Sequence, residues 1–166
     1  WNDDILDTAR AFAYPNYDSI NNAETYGALY TWYAATNGVN FSDQPYGVKG
    51  VCPDGWHIPS NEEFTELVEY LTNHGFAGTE GIALKSTTGW QDDGNGTDNF
   101  DFNWLPTGMI NDNNGGPIHF GRYSWIWSSN RVRADYIAIW AGYQSDFVTF
   151  SDNQTKFGVS VRCVKD

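Results

Sequence analysis

The chain has 166 residues, of which 40% are hydrophobic and 17% aromatic, and its formal net charge at pH 7 is −12. This composition predicts one domain with a hydrophobic core, because the apolar fraction is too high for a chain that stays disordered. The acidic balance argues against nucleic acid, which proteins bind through clustered Lys and Arg, and against an anionic membrane surface. No apolar run approaches the roughly 18 residues of a membrane-spanning helix, so membrane insertion is not expected.

A short helix is predicted over residues 23–36. Ala28, Trp32 and Ala35 fall at helical spacing, and the glycine at position 38 is a typical C-terminal stop.

A second helix is predicted to start just after Ser60. Ser60 can cap the first turn and Glu63 stands three residues later, which is the spacing of a capping box. Pro53-Asp54-Gly55 before it indicates a turn. The apolar residues of this helix share one face, so it should pack on one side and expose the other. They are Phe64, Leu67, Val68 and Leu71.

The last third of the chain predicts a β-meander. Its candidate strands are rich in aromatic and β-branched residues and are separated by turn residues. They cover residues 124–129, 135–143, 146–150 and 156–164. Two early helices followed by late strands predict an α+β fold with a small, mostly antiparallel sheet and long loops.

The chain contains two cysteines, Cys52 and Cys163, which are 111 residues apart. They could form a disulfide or remain two buried thiols. We favour the disulfide, because both cysteines lie in segments that should meet in the core.

Seven motifs occur in an order and spacing that resemble one family. They read YGALYTW, VCPDGWHIPSNEEF, LKSTTGW, GTDNF, LPTG, WSS and KFGVSVRCVKD. Together they resemble the major paralogous domain of Fibrobacter succinogenes, which is also widespread in Bacteroidetes surface proteins. The motifs are more distantly similar to the superfamily of formylglycine-generating enzymes and C-type-lectin-like proteins. The resemblance implies a C-type-lectin-like fold.

The resemblance also implies a secreted or cell-surface protein. The chain begins at Trp1 without Met, so we expect that a signal or lipoprotein leader has been removed. We expect an N-terminal strap at residues 1–22 and the lectin-like domain at 23–166.

A cluster of aromatic residues and arginines in the turn-bounded part is the candidate ligand-binding face. An exposed Trp or Tyr offers a flat apolar surface with a polar edge, which suits a sugar ring or a protein surface. Simple packing of large side chains is the alternative. The candidates are Trp104, Trp125, Arg131, Arg133, Tyr136, Trp140, Tyr143 and Asp146. We assign the other tryptophans of the motifs, at positions 32, 56, 90 and 127, to the core.

An acidic loop could hold calcium through Asp93, Asn95 and Asp98. A solvated turn is the simpler interpretation, because the loop lacks the order of an EF-hand. No cofactor is required by the sequence, and no spacing of His and Cys predicts zinc.

The predicted function is therefore a non-enzymatic, extracellular binding module for a glycan or a surface protein. The alternative is a variable-display adhesin, or the target of a diversity-generating retroelement, that binds a protein receptor. Catalysis would need paired carboxylates, and the glutamates at positions 62, 66 and 69 instead fall on an exposed helix face.

Overall fold

The computed structural model of the chain describes residues 12–38, 47–111, 116–132, 135–153 and 157–166. Within residues 131–137 and 152–153 only backbone is described. The helices of this part are α1 (Ser19–Tyr26), α2 (Trp32–Ala35), α3 (Asn61–Leu71) and α4 (Glu80–Leu84), with a 3-10 turn at Pro15–Tyr17 and a π-helical turn at Thr72–Phe76. The strands are β1 (Phe12–Ala13), β2 (Leu29–Tyr30), β3 (Trp56–His57), β4 (Met109–Asn111), β5 (Gly116–Ile118), β6 (Tyr123–Val132), β7 (Asp135–Gly142), β8 (Thr149–Asn153), β9 (Val159–Ser160) and β10 (Val164–Lys165).

The predicted helix over 23–36 is wrong in its extent. Gly27 adopts a positive φ of 68°, which ends α1 and turns the chain into the short strand β2. Helical structure resumes in α2, where Thr31 caps the first turn by accepting from the backbone of Ala34. The predicted stop is confirmed, since the amide of Gly38 donates to the carbonyl of Tyr33.

The predicted capped helix is confirmed as α3. The Ser60 hydroxyl accepts from the Glu63 amide at 3.1 Å, and the Glu63 carboxylate accepts from the Ser60 amide at 2.8 Å. Phe64 and Leu71 are buried while Leu67 is half-buried against the same core, so α3 packs on one face.

The architecture is α+β, with a mostly antiparallel sheet. Among the described residues the main sheet has six strands in the order β1-β2-β9-β6-β7-β8, and a single parallel contact joins Ile126 of β6 to Ser160 of β9. The predicted meander is confirmed for β6, β7 and β8, with the third strand at Thr149–Asn153 rather than 146–150. It is wrong for the last strand, because β9 lies between β2 and β6 instead of beside β8. That strand is also interrupted after Ser160, and β10 pairs with β3 in a separate ladder.

The last strand meets the segment that precedes α3 at this second ladder. Val164 is opposite His57 and Lys165 is opposite Trp56. Beside them Cys52 and Cys163 form a disulfide with a Cα–Cα distance of 5.8 Å, as predicted.

The main sheet is covered on both faces by different elements. Ile126, Ile139 and Ala141 face the side covered by α3 and α4. Trp127 and Ala138 face the other side, where Trp32 of α2 and the Cys52 segment cover them. No helix within the described ranges is long and apolar enough to span a bilayer.

The predicted boundary between a strap at 1–22 and a domain at 23–166 stays a prediction. Of the strap, residues 12–22 are described, and they include β1, which pairs with β2 at the edge of the main sheet. Helix α1 crosses the boundary.

Candidate functional site

The candidate site is an aromatic patch on the hairpin of β6 and β7. Strand alternation places Tyr123, Trp125 and Trp127 on one face of β6, and Trp140 lies directly opposite Trp125 on β7. Trp127 is covered by α2, whereas the other three residues are half-buried. We use the name aromatic patch for His119, Tyr123, Trp125 and Trp140.

The rings of the patch touch one another and form a continuous surface. The ring of Tyr123 has its centroid 5.8 Å from that of Trp125 and 6.0 Å from that of Trp140. The two indoles are 6.4 Å apart, and the imidazole of His119 lies 5.1 Å from Tyr123. These separations are typical of interacting aromatic pairs, so the neighbours restrict each ring before a ligand arrives.

The patch encloses a shallow pocket of about 310 Å³, which Ser151 of β8 completes. This volume lies at the lower end of the range for small-molecule sites, roughly 300–1,000 Å³. The pocket therefore fits one ring of a ligand rather than a large cofactor.

Gly142 leaves the space in which the ring of Tyr123 lies over the hairpin. Gly142 is opposite Tyr123, and a Cβ at Gly142 would lie 2.7 Å from a ring carbon of Tyr123. The absence of a side chain lets the phenol ring lie across the strand, as aromatic residues do over glycines in other sheets. Tyr143 extends this edge, with its ring 6.0 Å from Tyr123 and the guanidinium of Arg122 5.4 Å above it.

The imidazole of His119 is the titratable group of the patch. Partial desolvation lowers the pKa of His119 below its ordinary value, and the positive charge of Arg122 acts in the same direction. His119 is therefore mainly neutral at pH 7, and the patch presents apolar rings with hydrogen-bonding edges.

The structure brings together some of the predicted site residues. Trp125 and Trp140 form the centre of the patch, and Tyr143 lies at its edge. Asp146 lies in the turn after β7, on the other side of the sheet, where its backbone carbonyl accepts from the amide of Ile82 and its charge acts on Lys85.

The expectation that Trp104 is an exposed aromatic is wrong, and its part in ligand binding stays a prediction. Its indole is 2% exposed, because it packs in the core beneath α3 and α4 together with Trp90 and Ile126. The assignment of Trp56 to the core is wrong in the opposite sense, since this side chain is 39% exposed on β3. Trp32, Trp90 and Trp127 are buried as predicted.

Three predicted residues lie where side chains are not described. Arg131 and Tyr136 are directly opposite each other in the backbone register of the hairpin, beyond an irregularity between Trp127 and Arg131. Arg133 lies outside the described residues. Their part in ligand binding stays a prediction.

Sequence reasoning missed two members of the patch. Tyr123 stands two residues before Trp125, so period-two alternation could have placed it on the same face. His119 has a φ of 65° in the turn before β6, and no sequence pattern predicts where such a turn aims its side chain.

The predicted calcium loop is held by its own hydrogen bonds. Asn95 accepts from the amide of Trp90 at 3.0 Å, and Asp98 accepts from the amide of Asn103 at 2.7 Å. The third candidate, Asp93, is exposed with a positive φ of 60°. Within the described ranges, no group of three or more His, Cys, Asp or Glu residues could hold a metal ion. Binding of calcium stays untested.

Comparison with known proteins gives one match. The family model described as the Fibrobacter succinogenes major domain matches residues 3–165 of the chain. No curated protein and no solved structure matches the chain.

Proposed function

Because the chain belongs to the Fibrobacter succinogenes major domain family, whose name states no activity, we propose a function from the site itself. The proposed function is a non-enzymatic, extracellular binding module with a C-type-lectin-like fold that recognises a carbohydrate through the aromatic patch. The observation that carries it is the half-buried pair of Trp125 and Trp140, whose rings lie 6.4 Å apart beside a pocket of about 310 Å³.

The chemistry of the patch supports a sugar ring as the ligand. The faces of a pyranose that carry C–H groups pack well on flat apolar rings, and the remaining hydroxyls need polar partners at the rim. The imidazole of His119 and the hydroxyls of Tyr123 and Ser151 are such partners by chemical type.

Three features support a lectin-like scaffold. The last strand returns to the segment before α3 at the ladder of β3 and β10, long loops connect the elements, and α3 and α4 pack on one face of a small sheet. The disulfide supports an extracellular location, because such bonds persist in oxidising compartments.

The test is a glycan array followed by titration of the best ligand. Replacing Trp125 or Trp140 with Ala should weaken binding at least about tenfold, which is the size expected for a central aromatic contact. Trp56→Ala is the matched control, because Trp56 is an exposed tryptophan on a different ladder.

Binding that survives both patch substitutions, or that falls equally with Trp56→Ala, would contradict the proposal. So would an array that yields no glycan ligand for the folded protein.

A further inference from the structure

A second pocket lies on the opposite face of β6 from the aromatic patch. Ser124 and Ile126, which alternate with Tyr123 and Trp125 along the strand, form part of its wall. The pocket has a volume of about 290 Å³, and the exposed residues Thr25, Gly27 and Asn103 surround its mouth. We call it the hydroxyl pocket.

Three hydroxyl groups from separate elements meet in this pocket. The hydroxyl of Thr107 lies 2.9 Å from that of Ser124 on β6 and 2.9 Å from that of Ser160 on β9. Thr107 and Ser124 are buried, and Ser160 is half-buried. A hydroxyl both donates and accepts, so this cluster can reorient its hydrogens toward either a donor or an acceptor of a ligand.

Arg162 is a positively charged residue that lines the same pocket and also, with Phe102, a neighbouring groove beside α3. Its guanidinium lies 4.0 Å from the centroid of Phe102, and the ring of Phe102 is itself 5.7 Å from that of Trp104. This stack holds the planar guanidinium in place. Burial lowers the pKa of Arg162, whereas the charge of Asp98 raises it. The group remains charged at neutral pH.

Two other described cations have acceptors within the chain. The buried Lys85 donates to the carbonyls of Gly142 and Ser145 at 3.2 and 3.0 Å, and Arg122 donates to Gln91 at 3.0 Å. Arg162 forms neither a hydrogen bond nor an ion pair with any described residue. A partly buried guanidinium without an acceptor is unfavourable, so an acceptor from outside this part of the chain would stabilise it.

Trp104 supplies an independent sign of a missing acceptor. Trp104 is one of the residues that line the hydroxyl pocket, and its Nε1–H is buried with no hydrogen-bond partner among the described residues. Trp90, the neighbouring buried indole, donates to the backbone carbonyl of Trp104 at 3.0 Å. Buried donors are rarely left without an acceptor, so Trp104 marks an unsatisfied polar group in the wall of this pocket, and Arg162 is the cation that a ligand there would meet.

We propose that the hydroxyl pocket binds a single-ring, hydroxylated carboxylate of the uronic acid class. The carboxylate matches the planar fork of the Arg162 guanidinium, and the ring hydroxyls match the cluster of Thr107, Ser124 and Ser160. This site is separate from the aromatic patch, because neighbouring residues of β6 serve opposite faces of the sheet.

The experiment is calorimetric titration of the folded protein with glucuronate and galacturonate at low salt. Glucose, galactose and inorganic phosphate are the comparison probes. We expect at least one uronate to bind about tenfold or more tightly than its neutral counterpart and than phosphate, since a carboxylate–Arg pair is a charge-assisted contact. Arg162→Gln should reduce that affinity about tenfold or more, and Ser160→Ala should reduce it several-fold.

Trp125→Ala is the matched control and should leave uronate affinity unchanged, which separates this site from the proposed glycan-binding patch. Thermal unfolding of each variant shows that it is folded. Absence of binding by both uronates would overturn the proposal, as would equal binding of uronate and neutral sugar. Equal binding of phosphate, or full affinity in folded Arg162→Gln, would overturn it too.

Discussion

One face of the hairpin of β6 and β7 divides into a covered half and an open half. In the covered half Trp127 is opposite Ala138, and Trp127 is 0% exposed, with its indole N–H donating to the carbonyl of Tyr30 at 2.8 Å. In the open half Trp125 is opposite Trp140, and both indoles remain half-buried.

The two halves differ in the segments that cover them and not in the strands themselves. Helix α2 and the segment of Cys52 cover the first half and make it core. In the described part of the chain the open half carries the shallow pocket instead. Tryptophan on the same face of the same strand thus serves as core at one position and as surface two residues earlier, which shows that burial depends on the covering segment.

The largest effect on the covered half should come from losing the disulfide. Replacing Cys52 and Cys163 together with Ala should lower the free energy of unfolding by about 4–5 kcal/mol, because the bridge closes a loop of more than 100 residues in the unfolded chain. Urea denaturation of the double variant measures this. A loss below about 1 kcal/mol would contradict this contribution of the bridge to stability.

Replacing a tryptophan with Ala should lower the free energy of unfolding more in the covered half than in the open half. Trp127→Ala should cost about 3–5 kcal/mol, as expected for a fully buried aromatic, and Trp140→Ala clearly less because its ring already contacts solvent. Urea denaturation of both variants makes the comparison. Equal losses would show that the open half is core as well.

A methyl group added beneath Tyr123 should disturb the open half alone. Gly142→Ala should displace the Tyr123 ring and change the near-ultraviolet circular dichroism of the patch, while stability changes by about 1 kcal/mol or less. If the steric contact is the cause, Gly142→Ala should have no further effect in a Tyr123→Ala background. A full effect in that background would exclude this mechanism.

The smallest effect should be a pH dependence of stability that arises at the ladder of β3 and β10, beside the covered half. His57 lies 2.7 Å from a carboxylate oxygen of Asp166 and 2.8 Å from one of Glu63. The hydrogen bond with Asp166 raises the pKa of His57, and that with Glu63 adds to it against the effect of burial. The contribution of His57 to stability is therefore complete below its unfolded pKa of about 6.5 and is lost as pH rises through the folded pKa.

Urea denaturation between pH 5 and pH 9 checks this. The contribution of His57 to the free energy of unfolding should fall toward alkaline pH, and His57→Gln should remove this pH dependence. A slope of the opposite sign would contradict the pairing with the two carboxylates.

Local signals predicted the fold well where one short stretch decides the structure. The capping box at Ser60 and the hairpin strands are specified by residues close together in the sequence. The disulfide is a long-range feature, and it was predicted because the two cysteine segments were expected to meet. The prediction of one helix over 23–36 was wrong because Gly27 adopts a positive φ, which the apolar spacing does not reveal.

The candidate site was predicted in part, for a related reason. Alternation places Trp125 and Trp140 on one face, but it does not show which half of that face another segment covers. Trp104 was misplaced because its burial depends on α3 and α4, which are distant in sequence. The hydroxyl pocket joins Thr107, Ser124 and Ser160 from separate elements, and no spacing along the chain predicts such a meeting.

The bridge between Cys52 and Cys163 also determines how the domain carries mechanical tension. A pull applied through the chain next to these two residues runs along the covalent bond and bypasses residues 53–162, which include most of both pockets. A load of this kind would therefore not act directly on the hairpin of β6 and β7.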